Sequence, residues 1–242
     1  MPEDTPHGRL ILVTGGARSG KSSYAERLAA RLAEAEPALH GRVTYVATSQ
    51  AYDEEMEQRV ATHQAARPDG WVTVECPLHV PAAVREAAAG AGPPGSDAPG
   101  AVVLLDCVTL WVTNLLFSGG AFGGSAPPDE GYNWDKDLLP PAEERAAAER
   151  VTAAVEDLID AVDRAGVTLV AVTNEVGLGV VPEYPLARLY RDQLGWANQR
   201  LARAADRVYF LVSGFPLDVK ALAAPDPSSA GPGAADPFDP DS

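Results

Sequence analysis

The run Gly15-Gly16-Ala17-Arg18-Ser19-Gly20-Lys21-Ser22 fits the spacing G-x-x-x-x-G-K-[ST]. Its glycines allow backbone N–H groups to curl around phosphate oxygens. In such a loop Lys21 would reach the β- and γ-phosphates, and the Ser22 hydroxyl would hold Mg²⁺. The apolar run Leu10-Ile11-Leu12-Val13 precedes it and a helical pattern, Ser22 to Ala35, follows. That strand–loop–helix context separates a phosphate loop from a glycine-rich turn with a stray lysine, and the helix adds the positive end of its dipole. The segment therefore predicts binding of a nucleoside triphosphate.

Three further places could carry chemistry. Asp106 follows four apolar residues, Val102 to Leu105, at the end of a strand pattern. In phosphate-loop enzymes that position holds the acid that helps to organise Mg²⁺; a helix cap or turn residue is the alternative. His63 has Arg59 four residues before it and Arg67 four residues after, on one helix face with Met56 and Val60. Spacing alone reads as a half-buried helix histidine. The two arginines pull the other way: they would bind phosphate and favour neutral, nucleophilic imidazole. A histidine attacking an α-phosphate would give a covalent nucleotidyl intermediate. Glu75 ends a short strand, where it could accept hydrogen bonds from guanine or simply be solvated. Thr173-Asn174-Glu175-Val176-Gly177-Leu178-Gly179 is either a phosphate-responsive loop or an ordinary strand exit. His7, His40 and His79 read as surface residues, and no Cys/His spacing suggests zinc. The four tryptophans, Trp71, Trp111, Trp134 and Trp196, read first as packing residues.

The elements that must position these residues alternate. Strands are expected at Arg9 to Val13, Val43 to Thr48, Trp71 to Glu75, Ala101 to Leu105, Val167 to Val172 and, as the last, Arg207 to Val212. Helices are expected at Ser22 to Ala35, Asp53 to Ala66, Pro81 to Ala89, Val108 to Phe117, Glu143 to Ala165 and Leu186 to Ala205. Several strands are apolar throughout, which predicts an α/β fold with a mainly parallel sheet covered by helices on both faces. Thr48-Ser49-Gln50, Asp106 and Thr173-Asn174-Glu175 then share the strand-end edge with the phosphate loop, where open α/β sheets bind ligands. A flexible leader is expected over residues 1–8, one domain over 9–220 with an insertion at 119–141, and a disordered acidic tail over 221–242.

With 242 residues, 46% of them hydrophobic, the chain can bury one sizeable core. Its net charge of −15, from 34 acidic and 19 basic residues, argues against a general nucleic-acid binder. Two cysteines, Cys76 and Cys107, do not make a disulfide framework, so a reduced, cytoplasmic setting is expected. No apolar run approaches a membrane span.

Taken together these segments resemble the bifunctional adenosylcobinamide kinase/adenosylcobinamide-phosphate guanylyltransferase family of cobalamin biosynthesis. The resemblance rests on Leu12 to Ser22, Tyr45-Val46-Ala47-Thr48-Ser49-Gln50, Asp53 to Met56, Arg59-Val60-x-x-His63-x-x-x-Arg67-Pro68, Trp71 and Glu75. It continues through Leu104 to Thr109, Val112 to Leu116, Val172 to Gly177, Asn198 to Leu201 and Val212-Ser213-Gly214. It implies a RecA-like phosphate-loop NTPase core and two reactions. ATP or GTP phosphorylates adenosylcobinamide. GTP then guanylylates a histidine, which passes GMP to adenosylcobinamide phosphate. The family's guanylylated histidine maps onto His63. Its nucleotide-contacting positions map onto Gly15 to Ser22, Thr48, Ser49, Gln50, Ala65, Ala66, Arg67, Pro68, Glu75 and Asp106, with Ser22 and Asp106 at the metal. A homotrimer with sites near subunit boundaries is also implied. The sequence departs from some members at Thr62, where they carry a second histidine, and at Asp106, where they carry Glu. The insertion and tail have no counterpart in compact members. A plain phosphate-loop kinase, or a regulatory nucleotide switch reading phosphate through Thr173 to Gly179, remain the alternatives.

Overall fold

The computed structural model describes residues 8–35, 42–49, 70–90, 101–119 and 140–224. The expected helix at Asp53 to Ala66, and with it His63, Gln50 and Ala65 to Pro68, lies outside the described residues. So do most of the leader, insertion and tail.

The described chain runs β1 (Arg9–Gly15), α1 (Lys21–Ala35), β2 (Val43–Ala47), β3 (Val72–Glu75), α2 (Val80–Ala89), β4 (Val102–Asp106) and α3 (Val108–Phe117). It continues through α4 (Pro141–Ala165), β5 (Thr168–Val172), α5 (Pro185–Ala204), β6 (Arg207–Val212), β7 (Phe215–Asp218) and α6 (Val219–Leu222). The strands form one sheet in the order β3-β2-β4-β5-β1-β6-β7. Every pairing is parallel except β6 with β7. The mainly parallel α/β architecture expected from the apolar strands is therefore the one observed.

Alternation along each strand sends side chains to two cores. Ile11, Val13, Val43, Tyr45, Ala47, Val102, Leu104, Val170 and Val172 face α1. That helix meets them with Ala25, Ala29 and Ala33, three small residues at spacing four that let its backbone approach the sheet. Leu10, Leu12, Val46, Val103, Leu105, Leu169 and Ala171 face the opposite side, which α2, α3, α4 and α5 cover. Trp111 on α3 is the largest fully buried side chain, and its indole N–H donates to the Leu78 carbonyl at 2.8 Å. Truncating it leaves a cavity and an orphaned carbonyl, so Trp111→Ala is expected to lower unfolding stability by about 3–5 kcal/mol. Denaturant titration followed by far-UV circular dichroism checks this.

Two expectations need correction. The strand at Arg207 to Val212 is not the last: Ser213 (φ 50°) and Gly214 (φ 88°) turn the chain into β7, with Val212 opposite Phe215. Positive φ at both turn residues matches the twist of a two-residue hairpin. Pro216 disguises the strand in sequence, yet it is tolerated because β7 is an edge. The long helix begins at Pro141 rather than Glu143, since proline suits the first helical position, where its missing N–H is not needed. Gly166 ends that helix at φ 63°.

Candidate active site

Strand register brings the expected residues to one edge. Glu75, Ala47, Asp106, Val172, Val13 and Tyr209 stand level across β3, β2, β4, β5, β1 and β6. The phosphate loop leaves β1 two residues beyond Val13. Asp106 lies two strands away from it across β5, about 10 Å at ordinary strand spacing. Glu75 lies a further two strands out and is exposed.

The loop between β1 and α1 is shaped by its backbone. Gly20 adopts φ 88°, and Arg18 enters the left-handed region at φ 56°. A Cβ at Gly15 would sit 2.7 Å from both the Leu211 carbonyl oxygen and Ser19 Oγ, so only glycine fits there. Neighbouring elements clamp the loop. The Glu175 N–H donates to the Gly15 carbonyl at 3.1 Å, and the Gly214 N–H to the Ser19 carbonyl at 2.9 Å. Tyr24, in the first turn of α1, packs edge-on against Tyr209 at 5.4 Å between ring centroids. The Lys21 ammonium donates to the Gly16 carbonyl at 3.3 Å, folded back over its own loop. Ser22 follows in the first turn of α1.

Among the described residues, the buried side-chain polar atoms without a hydrogen-bond partner are Thr14 Oγ1, Ser19 Oγ and Asn174 Oδ1. All three belong to the end of β1, the loop after it, or the exit of neighbouring β5. Buried polar atoms are ordinarily paired, so this concentration fits a pocket that a polar ligand completes.

Asp106 and Thr48 are held by contacts that spacing could not reveal. The Tyr45 hydroxyl donates to Asp106 Oδ2 at 2.9 Å. Thr48 is fully buried; its hydroxyl donates to the Cys107 carbonyl at 2.7 Å and accepts from the Cys107 N–H at 2.8 Å. That side chain, expected against nucleotide, is thus engaged in joining the exits of β2 and β4. Ser49 follows it, half-buried, at the edge of the described segment. Asn114 on α3 donates to the carbonyls of Thr48 (2.9 Å) and Pro77 (3.0 Å), tying two strand exits together. On the other flank, the Thr173 hydroxyl donates to Asn198 Oδ1 at 2.7 Å, and Asn198 Nδ2 to the Asn174 carbonyl at 3.0 Å. The Asn174 N–H donates to Thr109 Oγ1 at 2.8 Å. Tyr45, Thr109, Asn114 and Asn198 fall within the blocks that carry the resemblance, but the sequence assigned them no individual role. The available signal was a polar side chain on an otherwise buried strand or helix face.

Cys107 stands beside this site but is poorly suited to nucleophilic work. Burial, reinforced by the Asp106 carboxylate, pushes its thiol up to about 11. At pH 8 it stays protonated. Iodoacetamide is therefore expected to modify the native protein at Cys107 at least about tenfold more slowly than after denaturation. Peptide mass spectrometry of alkylated protein reads this directly.

A mainly parallel sheet, a G-x-x-x-x-G-K-S loop leading from an interior strand into a helix, and an acid two strands away define a phosphate-loop NTPase fold. The family model for cobinamide kinase/cobinamide phosphate guanyltransferase matches residues 11–219. The chain belongs to that family. It is 42% identical over 211 residues to the bifunctional adenosylcobalamin biosynthesis protein CobU of Escherichia coli (strain K12), a match covering 87% of this chain and 99% of that protein. The protein of the same name from Salmonella typhimurium is also 42% identical, with the same coverage. The bifunctional adenosylcobalamin biosynthesis protein CobP of Pseudomonas aeruginosa is 38% identical over 209 residues, covering 86% of this chain and 96% of that protein.

Proposed function

We propose that this chain is a bifunctional enzyme of cobalamin biosynthesis, phosphorylating adenosylcobinamide and then transferring GMP to the product. The family match over residues 11–219, with the phosphate loop intact, is the observation that carries this reading. In the kinase step the alcohol oxygen attacks the γ-phosphorus of ATP or GTP, and the bond to the β-phosphate oxygen breaks. Loop N–H groups and Lys21 hold the triphosphate and offset charge on the transferred group. In the transferase step His63 attacks the α-phosphorus of GTP and pyrophosphate leaves. The phosphate oxygen of adenosylcobinamide phosphate then displaces the histidine, giving adenosylcobinamide-GDP and free His63.

Nucleotide binding is assigned to Gly15 to Ser22, Thr48 to Gln50, Ala65 to Pro68, Glu75 and Asp106. Thr48 contributes by fixing Ser49, since its hydroxyl is engaged with Cys107, its N–H with the Asp106 carbonyl and its carbonyl with Asn114. Mg²⁺ fits Ser22 and Asp106, an all-oxygen pair suited to a hard cation. Among the described residues no group of three or more His, Cys, Asp and Glu side chains gathers around one point. When bound, Mg²⁺ would neutralise charge on the phosphates. The Tyr45 hydroxyl fixes the orientation of the Asp106 carboxylate.

Assembly as a homotrimer and a cytoplasmic location belong to the same reading. No helix among the described residues is long and apolar enough to cross a membrane. Incubation with GTP, Mg²⁺ and adenosylcobinamide, followed by mass spectrometry of the corrinoids, tests the function. Adenosylcobinamide phosphate followed by adenosylcobinamide-GDP is the expected sequence. Phosphate ester alone would reduce the chain to a kinase, and unchanged corrinoid would remove the reading.

A further inference from the structure

We infer that the loop between β5 and α5, from Leu178 to Tyr184, is the bed on which the corrin macrocycle of the acceptor substrate lies. The inference rests on the functional reading above and names a binding surface within it.

Four large apolar side chains in seven residues face solvent here: Leu178 is 80% exposed, Val180 95%, Val181 63% and Tyr184 46%. Single exposed apolar residues are ordinary, whereas a contiguous group marks a surface that something covers. The group is not presented by a slack loop. At its start the Glu175 N–H is bonded to the Gly15 carbonyl of the phosphate loop, and the Glu175 carboxylate accepts the Gly177 N–H at 2.6 Å. Asn174 is fixed on both sides by Thr109 and Asn198. At its far end the Arg188 guanidinium donates to the carbonyls of Pro182 and Glu183. Both ends of the loop are thus anchored, one to the phosphate loop and one to α5.

Position decides what covers them. A chain reaches at most about 3.6 Å per residue, so Leu178 lies within about 11 Å of Glu175 and Val180 within about 18 Å. Glu175 itself touches the phosphate loop. An acceptor whose hydroxyl meets the γ-phosphate must leave the rest of its body beside that loop, outside the sheet edge. For a cobinamide that body is a broad macrocycle with a methyl-rich rim and solvated amide arms, and an apolar bed matches the rim. Another exposed apolar group, Phe215 and Leu222, lies at the β7 end of the sheet.

The test compares the full chain with Leu178→Ser, Val180→Ser, the double variant, and Leu222→Ser as a control of similar exposure. Three quantities are read: KM for adenosylcobinamide in the kinase step, protein labelling by GTP carrying label at its α-phosphate, and mass by light scattering. The double variant is expected to raise KM for adenosylcobinamide tenfold or more, since two large apolar contacts are lost. Labelling should stay within about twofold, mass should be unchanged, and Leu222→Ser should match the parent. An active parent with unchanged corrinoid KM in the double variant overturns the assignment. A change in mass also overturns it, giving the patch to a subunit contact. A parent that leaves adenosylcobinamide unmodified overturns the functional reading itself, and the bed with it.

Discussion

Lys21→Met is expected to lower kcat/KM about 10²–10³-fold in both the kinase and the guanylyl-transfer reactions. In the proposed function both draw on one triphosphate gripped by one loop, and the lysine offsets charge at its β/γ end. In the kinase step that charge grows on the transferred group and the leaving diphosphate. In the transferase step the same phosphates depart as pyrophosphate. The fold should survive, because the ammonium is exposed and donates to the carbonyl of Gly16 on its own loop. A stability change within about 0.5 kcal/mol is expected. Parallel rate and denaturation measurements separate loss of chemistry from loss of structure. A variant impaired in only one reaction would mean that the two steps use separate nucleotide sites.

His63→Ala is expected to divide the activities instead. Guanylyl transfer should fall about 10⁴-fold or more, the scale on which removing a nucleophile acts. Phosphorylation of adenosylcobinamide should remain within about threefold. The physical reason is the geometry of the nucleotide: the loop and Lys21 serve the β/γ end, and nothing in the loop supplies a nucleophile at the α-phosphorus. His63, with Arg59 and Arg67 four residues to either side in the sequence, is the residue proposed for that task. Separate assays of corrinoid phosphate and corrinoid-GDP distinguish the outcomes.

Much of this site could be read from residue order because its parts are local. The phosphate loop is eight consecutive residues between an apolar run and a helix. Asp106 is marked by the four apolar residues before it. The interior strands β1, β4 and β5 are legible because burial on both faces demands near-unbroken apolar runs. Other features depend on partners distant in the chain. Thr48 looks like a free hydroxyl at a strand exit, and only the approach of Cys107, 59 positions later, engages it. Asn198 looks like an ordinary polar residue of a helix, yet it closes the link between Thr173 and Asn174. β7 is hidden by Pro216 and by a turn whose first residue is serine rather than glycine. The second half of the site, His63 with Ala65 to Pro68, is carried by the family's motif and by the chemistry that GMP transfer requires.

The central claim is that a single GTP on the Gly15 to Ser22 loop is attacked at its α-phosphorus by His63. Incubation with GTP labelled at the α-phosphate and Mg²⁺, followed by denaturation and peptide mapping, measures it most directly. Acid-labile, base-stable label is expected on the peptide containing His63, absent in His63→Ala, retained in His79→Ala, and discharged into product by adenosylcobinamide phosphate. Absence of label, or label on another residue that adenosylcobinamide phosphate cannot remove, would contradict the account.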